Sequence, residues 1–306
     1  MDMYKKRELR AIKKQNNDKN NIEKNNKPNI NFYPGHMAKT KRLIKEKLEL
    51  IDIVFEICDA RIPVSSKIKD INDLIKNKKR ILIFTKMDLC DYDRTKEYID
   101  MYKKEGYEVI DVDLINMKNI DQITKITNKV LSDINKKREQ KGLIKRKARA
   151  LVIGIPNVGK STLINRLVGK RSVNVGNKAG ITKNISWIRI NSELELLDTP
   201  GILWPKFDDQ KIAYNLACTS SIKEEILPIE EVAIYILKHL NKNYKDLLIK
   251  RYGINDIDFD NIVETLDIIG KKRGCLISGG EIDYDKVYNL IIRDVKEGLI
   301  GKITFD

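Results

Sequence analysis

Three short elements along this chain occur in an order that restricts the folds it can adopt. Thr85-Lys86-Met87-Asp88 follows an apolar run and has the Lys-x-Asp core that reads a guanine base. Gly154-Ile155-Pro156-Asn157-Val158-Gly159-Lys160-Ser161 comes later and matches the G-x-x-x-x-G-K-S pattern of a phosphate loop. Asp198-Thr199-Pro200-Gly201 comes last. In ordinary connectivity the phosphate loop leads, Asp-x-x-Gly follows and the base-reading element closes the domain. Here the closing element stands first, which implies a circular permutation. Permutation is tolerated because domain termini tend to lie close together at the surface. Its consequence is that the chain leaves Asp-x-x-Gly directly into whatever follows Gly201.

The surrounding pattern is α/β. Residues 51–57, 80–84, 108–112 and 150–153 read as short buried strands. Residues 186–190 and 193–197 read as a hairpin around Asn191-Ser192, leading to Asp198. A helical stretch is expected over 117–138, and the basic run Lys141–Arg149 links it to the phosphate-loop strand. Further on, Ile229, Val232, Ala233, Ile236, Leu237 and Leu240 recur at helical spacing. Gly253 and Gly298 are expected helix C-caps, and Asp260 and Asp283 expected helix starts. The expected organisation is a basic, disordered leader over 1–27, a circularly permuted P-loop GTPase domain over 28–207, and a smaller, mostly helical domain over 208–306. The leader is poor in Ser and Arg and carries acidic residues, unlike a transit peptide.

Composition narrows the partners. A formal charge of +15 over 306 residues favours a polyanion, most simply RNA, although Lys, Asn and Ile enrichment also follows from an AT-rich genome. Cys58, Cys90, Cys218 and Cys275 are scattered without a C-x-x-C pair, which argues against a zinc site or a disulfide framework and fits a reducing cytoplasm. No apolar run approaches the ~18 residues of a membrane span, so no membrane partner is expected.

The motifs assign chemistry residue by residue. Glycines in the phosphate loop let backbone N–H groups converge on phosphate oxygens at a helix N-terminus, making Asn157, Val158, Gly159, Lys160, Ser161 and Thr162 the candidate phosphate contacts. Lys160 is expected to reach the β- and γ-phosphates, and the Ser161 hydroxyl to sit on Mg²⁺. Asp198, at the end of a strand, is the expected metal-facing carboxylate, and the Gly201 N–H can sense a γ-phosphate. Thr182, in Ala179-Gly180-Ile181-Thr182, is the candidate switch hydroxyl for Mg²⁺. Asp88 can accept two hydrogen bonds from guanine, and Lys86 can lay its methylenes on the base plane. The first residue of that element is usually Asn; Thr85 removes an amide, which is expected to weaken loop bracing or base contact.

In this order and with these neighbours, the chain resembles the ribosome biogenesis GTPase A family. The resemblance runs from Phe32 to Phe305. It rests on F-Y-P-G-H-M-A-K at 32–39, D-A-R-I-P-V-S-S at 59–66, the phosphate loop through Leu167, L-L-D-T-P-G-I-L-W-P-K-F at 196–207 and K-R-G-C-L-I-S-G-G at 272–280. The departures are the leader and the second guanine loop, Asp111-Val112-Asp113-Leu114, where the family usually begins with Ser. The resemblance implies a GTP-hydrolysing factor in the cytoplasm, monomeric, acting on the large ribosomal subunit and its rRNA, with a helical RNA-binding domain. The glutamine that orients water in Ras-like enzymes is replaced here by Ile202, and the family's catalytic histidine corresponds to His36. Asn157 matches an asparagine that coordinates K⁺ beside the phosphates in related enzymes. Asp59 and Arg61 have two open readings, ribosome contact or mutual bracing. Lys271-Lys272-Arg273 and Lys141–Arg149 are candidate RNA contacts. A nucleotide-gated RNA-binding scaffold with incidental catalysis is the alternative function.

Overall fold

The computed structural model describes residues 35–68, 71–143, 146–169, 186–201, 209–222 and 226–306, with the side chains of 35–39 and of Ser186 not among them. Helix α1 (Gly35–Lys47) is followed by a 3₁₀ turn (Leu48–Leu50) and strand β1 (Ile53–Asp59). Then come α2 (Asn72–Ile75), β2 (Lys79–Thr85), α3 (Tyr92–Lys104), β3 (Glu108–Asp111), α4 (Gln122–Val130) and α5 (Ser132–Gln140). The chain continues through β4 (Ala148–Gly154), α6 (Lys160–Val168), β5 (Ser186–Arg189) and β6 (Leu194–Asp198). Helices complete it: α7 (Gln210–Cys218), α8 (Ile229–Asn243), α9 (Lys245–Tyr252), α10 (Ile262–Arg273) and α11 (Tyr284–Lys296).

The six strands form one sheet in the order β3-β2-β1-β4-β6-β5. All neighbours are parallel except β5 and β6, the hairpin expected around Asn191-Ser192. Parallel strands covered on both faces should be apolar throughout, and β1 is buried along its whole length. From β1 the chain first builds outward on one side, then returns to place β4 on the other. That reversal opens a crevice at the carboxyl ends of β1 and β4, the usual binding place in open α/β sheets. Register aligns Asp59 with Thr85, Ile57 with Gly154 and Val152 with Asp198. All three motif elements thus emerge at one edge.

Several boundaries differ from the sequence expectation. The 117–138 stretch is two helices broken at Leu131. Helix α10 starts from Asn261 rather than Asp260, which bends through its own Asp258 contact instead. Asp283 does cap α11, accepting from Lys286 N at 3.1 Å, and Gly253 and Gly298 take left-handed φ of 73° and 70° after their helices.

Contacts group Phe32–Asp306 as one compact unit. The chain end enters the sheet half: Ile303 N–H donates to Leu89 O at 3.1 Å, and Phe305 N–H to Arg61 O at 2.8 Å. Behind it His239 stacks on Phe305 with ring centroids 4.6 Å apart. Its Nε2 lies 3.0 Å from Thr304 O, a carbonyl, so Nε2 carries the proton and Nδ1 accepts from Asn243. Burial therefore holds His239 neutral, its pKa lowered to about 4. The unfolded chain binds this proton near 6.5, the ordinary value of a solvated imidazole, and the folded chain does not until about 4. The corresponding stability is complete above the unfolded pKa and is lost as pH falls through that window. Melting curves across the window should show a shallower pH dependence for His239→Gln than for the parent; equal slopes would refute the assignment.

Candidate nucleotide site

The phosphate loop is built from backbone conformation before any side chain is considered. Gly154 ends β4, Asn157 and Gly159 take positive φ of 58° and 104°, and α6 begins at Lys160. Alternating handedness of this kind turns successive N–H groups inward, and the helix N-terminus adds its dipole. Ser161 and Thr162 stand in the first turn of α6. Gly201 is held where no side chain fits, since a Cβ there would lie 2.8 Å from the Pro156 backbone. Asp-x-x-Gly and the phosphate loop are therefore in van der Waals contact. Thr199 fixes the same junction by donating to Val152 O at 2.7 Å.

Two buried charges face each other across this junction without pairing. Lys160 is 7% exposed and its Nζ donates to its own loop, at 3.1 Å to Gly154 O and 2.9 Å to Ile155 O. Burial lowers its pKa to about 8, against the attraction of Asp198. Asp198 is 1% exposed, and among the described residues neither carboxylate oxygen has a hydrogen-bond partner within ordinary distance. Burial raises its pKa to about 6 even with Lys160 nearby, so here desolvation outweighs attraction. An orphaned buried carboxylate is costly unless a cation or donor completes it. The donor set fits Mg²⁺, which takes one or two carboxylates with phosphate oxygens and waters.

The base-reading element lies next to this loop. Thr85 is fully buried, and its Oγ1 lies 2.5 Å from Val158 O and 3.2 Å from Cys58 O. The expected loss of bracing at this position is corrected: a hydroxyl, shorter than the usual amide, ties the base-reading element to the phosphate loop. Lys86 sits at φ 58° with its ammonium 3.2 Å from Asp59 Oδ2. Asp88 is half-buried, and burial raises its carboxyl pKa, with Asp113 pushing the same way. Asp113 itself accepts from the N–H groups of Ile115 and Asn116, both at 2.9 Å, and so shapes the turn that follows β3.

The family model described as 50S ribosome-binding GTPase matches residues 149–264, from β4 into α10. Ribosome biogenesis GTPase A of Priestia megaterium is 46% identical over 278 residues, covering 90% of this chain and 96% of that protein. The chain belongs to the ribosome biogenesis GTPase A family. A member from Thermotoga maritima is 31% identical over 277 residues, covering 90% of this chain and 94% of that one. The solved GNP-bound YlqF from T. maritima is 28% identical, with a TM-score of 0.61 and coverage of 88% and 97%. A GDP-bound YlqF structure has the same TM-score of 0.61 at 27% identity. The fold is that of a circularly permuted P-loop GTPase.

Within this ribosome biogenesis GTPase A frame, Thr85, Lys86, Asp88, residues 157–162, Asp198 and Gly201 gather at one sheet edge. Thr182 and Ile202 lie outside the described residues. His36 falls in the first turn of α1, but its side chain lies outside them as well. Asn157 Nδ2 donates to Ser220 O at 2.6 Å, tying the phosphate loop to the turn after α7. Of the two readings of Asp59 and Arg61, bracing is the one the structure displays: they are 0% and 2% exposed and joined at 2.8 and 3.0 Å. Sequence reasoning had the D-A-R string but no signal that its Asp also holds Lys86.

Proposed function

We propose that this chain binds GTP at the β1/β4 crevice and hydrolyses it as an assembly factor of the large ribosomal subunit. The observation that carries the reading is the junction of three elements: a positive-φ phosphate loop, a buried Asp198 across from Lys160, and a base-reading loop tied to the phosphate loop through Thr85. Lys160 would leave its two loop carbonyls for the β- and γ-phosphates. Ser161, Thr182 and Asp198 would hold Mg²⁺, which when bound neutralises charge on the β- and γ-phosphates. The backbone N–H groups of Asn157 to Thr162 would cradle the phosphates, and the Gly201 N–H would meet the γ-phosphate. Asp88 would select guanine, with Lys86 against the base plane.

His36 would orient the attacking water where Ile202 cannot. Asn157, which donates its amide N–H to Ser220 at the edge of the phosphate loop, would be the K⁺ ligand. The large subunit and its rRNA would be the partner of a monomeric factor, consistent with the +15 charge, and the cytoplasm its compartment. GTP hydrolysis measured with purified large or small subunits in matched potassium buffer tests this. Large subunits alone should stimulate turnover, and His36→Ala should lower the stimulated rate by about 10²-fold while sparing GTP binding. Unstimulated turnover alongside intact GTP binding would favour the nucleotide-gated scaffold.

A further inference from the structure

The base-reading loop is held from the sheet by Thr85 and Asp59, and that support is extended by groups from the helical half. Lys86 needs such support, because a lysine at φ 58° persists only where its surroundings fix it. Its ammonium meets the buried Asp59 carboxylate, which Arg61 grips with Nε at 3.0 Å and an NH2 nitrogen at 2.8 Å. Arg61 in turn reaches 3.5 Å from Val295 O, in the last turn of α11, a carbonyl that also accepts from Gly298 N–H at 3.3 Å and stands at the negative end of the helix dipole. Three residues after Lys86, Leu89 gives its carbonyl to Ile303 N–H, and its side chain packs where a Cβ on Gly298 would intrude to 2.7 Å.

Asp91 completes the arrangement. Its carboxylate accepts from Tyr244 OH at 3.0 Å, and its carbonyl lies 3.2 Å from the Thr304 hydroxyl. The Tyr244 oxygen also receives Thr304 N–H at 3.1 Å, so one hydroxyl joins α3's N-cap to the chain end. Past Thr304, the Asp306 carboxylate accepts from the N–H groups of Val64 and Ser65 at 2.7 and 2.9 Å and from Asn215 of α7 at 2.8 Å.

We propose that Arg61, Tyr244 and the segment 303–306 are positioning elements for guanine recognition, so that loss of this brace lowers affinity for the base and leaves the phosphate contacts in place. This rests on the nucleotide-site reading above. The consequence is reciprocal by linkage: a partner that shifts the helical half weakens guanine binding by the same factor that guanine weakens that shift. Permutation would then give the helical half two grips on the nucleotide, one through the chain leaving Gly201 and one through this brace.

The test uses the intact chain and two ligands, GDP and magnesium pyrophosphate, which share the phosphates and differ in the base. Tyr244→Phe removes one hydroxyl and keeps the ring; Arg61→Lys keeps a charge on Asp59 and loses the fork. Each should raise the GDP dissociation constant about tenfold and leave pyrophosphate binding unchanged. Hydrogen exchange at the Ile303 and Phe305 amides should slow with GDP and not with pyrophosphate. Equal losses for both ligands would make these residues merely structural and overturn the proposal, as would unchanged GDP affinity in both variants. If the parent chain bound GDP no better than ADP, the nucleotide-site reading itself would fall.

Discussion

Replacing Asp88 with asparagine should collapse the preference for guanine over adenine nucleotides by about 10³–10⁴. The carboxylate has two acceptors for the two parallel donors on guanine, N1–H and the 2-amino group. Adenine offers neither donor in that geometry. An asparagine keeps one acceptor but turns an N–H₂ toward the 2-amino group, so two donors face each other in a partly desolvated pocket. Leaving such groups unpaired costs more than an average hydrogen bond is worth, which is why the effect is large. Burial and the charge of Asp113 push the Asp88 carboxyl upward in the free protein, and donors from the base would act in the opposite direction. The same reasoning gives a gain: xanthine carries a carbonyl where guanine carries the amine, and the asparagine N–H₂ can donate to it. Competition titrations with GDP, ADP and xanthosine diphosphate measure all three. An Asp88→Asn chain that keeps the parent GDP-to-ADP ratio would remove Asp88 from the base site.

What was legible in the sequence follows from how local the chemistry is. The phosphate loop, Asp198 and Asp88 stand at strand ends because their spacing to an apolar run fixes them there, and the sheet register does the rest. Thr85 shows where such reading stops. Seen alone it is an Asn that has lost its amide. Its compensation depends on Val158 O, 73 residues away, brought to within 2.5 Å only because β2 and β4 lie parallel on either side of β1. The D-A-R string had two meanings for the same reason: whether Arg61 faces solvent or Asp59 is decided by burial beneath α11 and the chain end. Helix limits failed for a smaller cause. Leu131 interrupts a continuous helical pattern without any Gly or Pro to announce it, and Asp258 draws Asp260 N–H into a turn just before α10.

Asp198 should show opposite effects on stability and function when changed to asparagine. In the nucleotide-free protein its two oxygens are buried and have no hydrogen-bond partner among the described residues. Removing the charge relieves that desolvation but also takes an anion away from Lys160. Magnitudes decide which effect wins. Asp198's pKa is raised to about 6 with Lys160 present, so burial disfavours the carboxylate by more than the lysine favours it. Lys160 meanwhile keeps its bonds to Gly154 O and Ile155 O. The metal-free Asp198→Asn chain should therefore melt higher than the parent, by roughly 2–4 °C for each kcal/mol relieved. With GTP and Mg²⁺ the order reverses, because a neutral amide is a poorer ligand than a carboxylate for a hard cation. Turnover should fall by about 10²–10³, the scale on which lost charge stabilisation at a transferring group is felt. Melting in chelator and turnover in Mg²⁺ are independent readings of one side chain. A lower metal-free melting temperature would mean that Lys160 does depend on Asp198; unchanged turnover would mean that the carboxylate faces no metal. A stabilised protein with crippled turnover would identify Asp198 as a group whose burial is tolerated for its function.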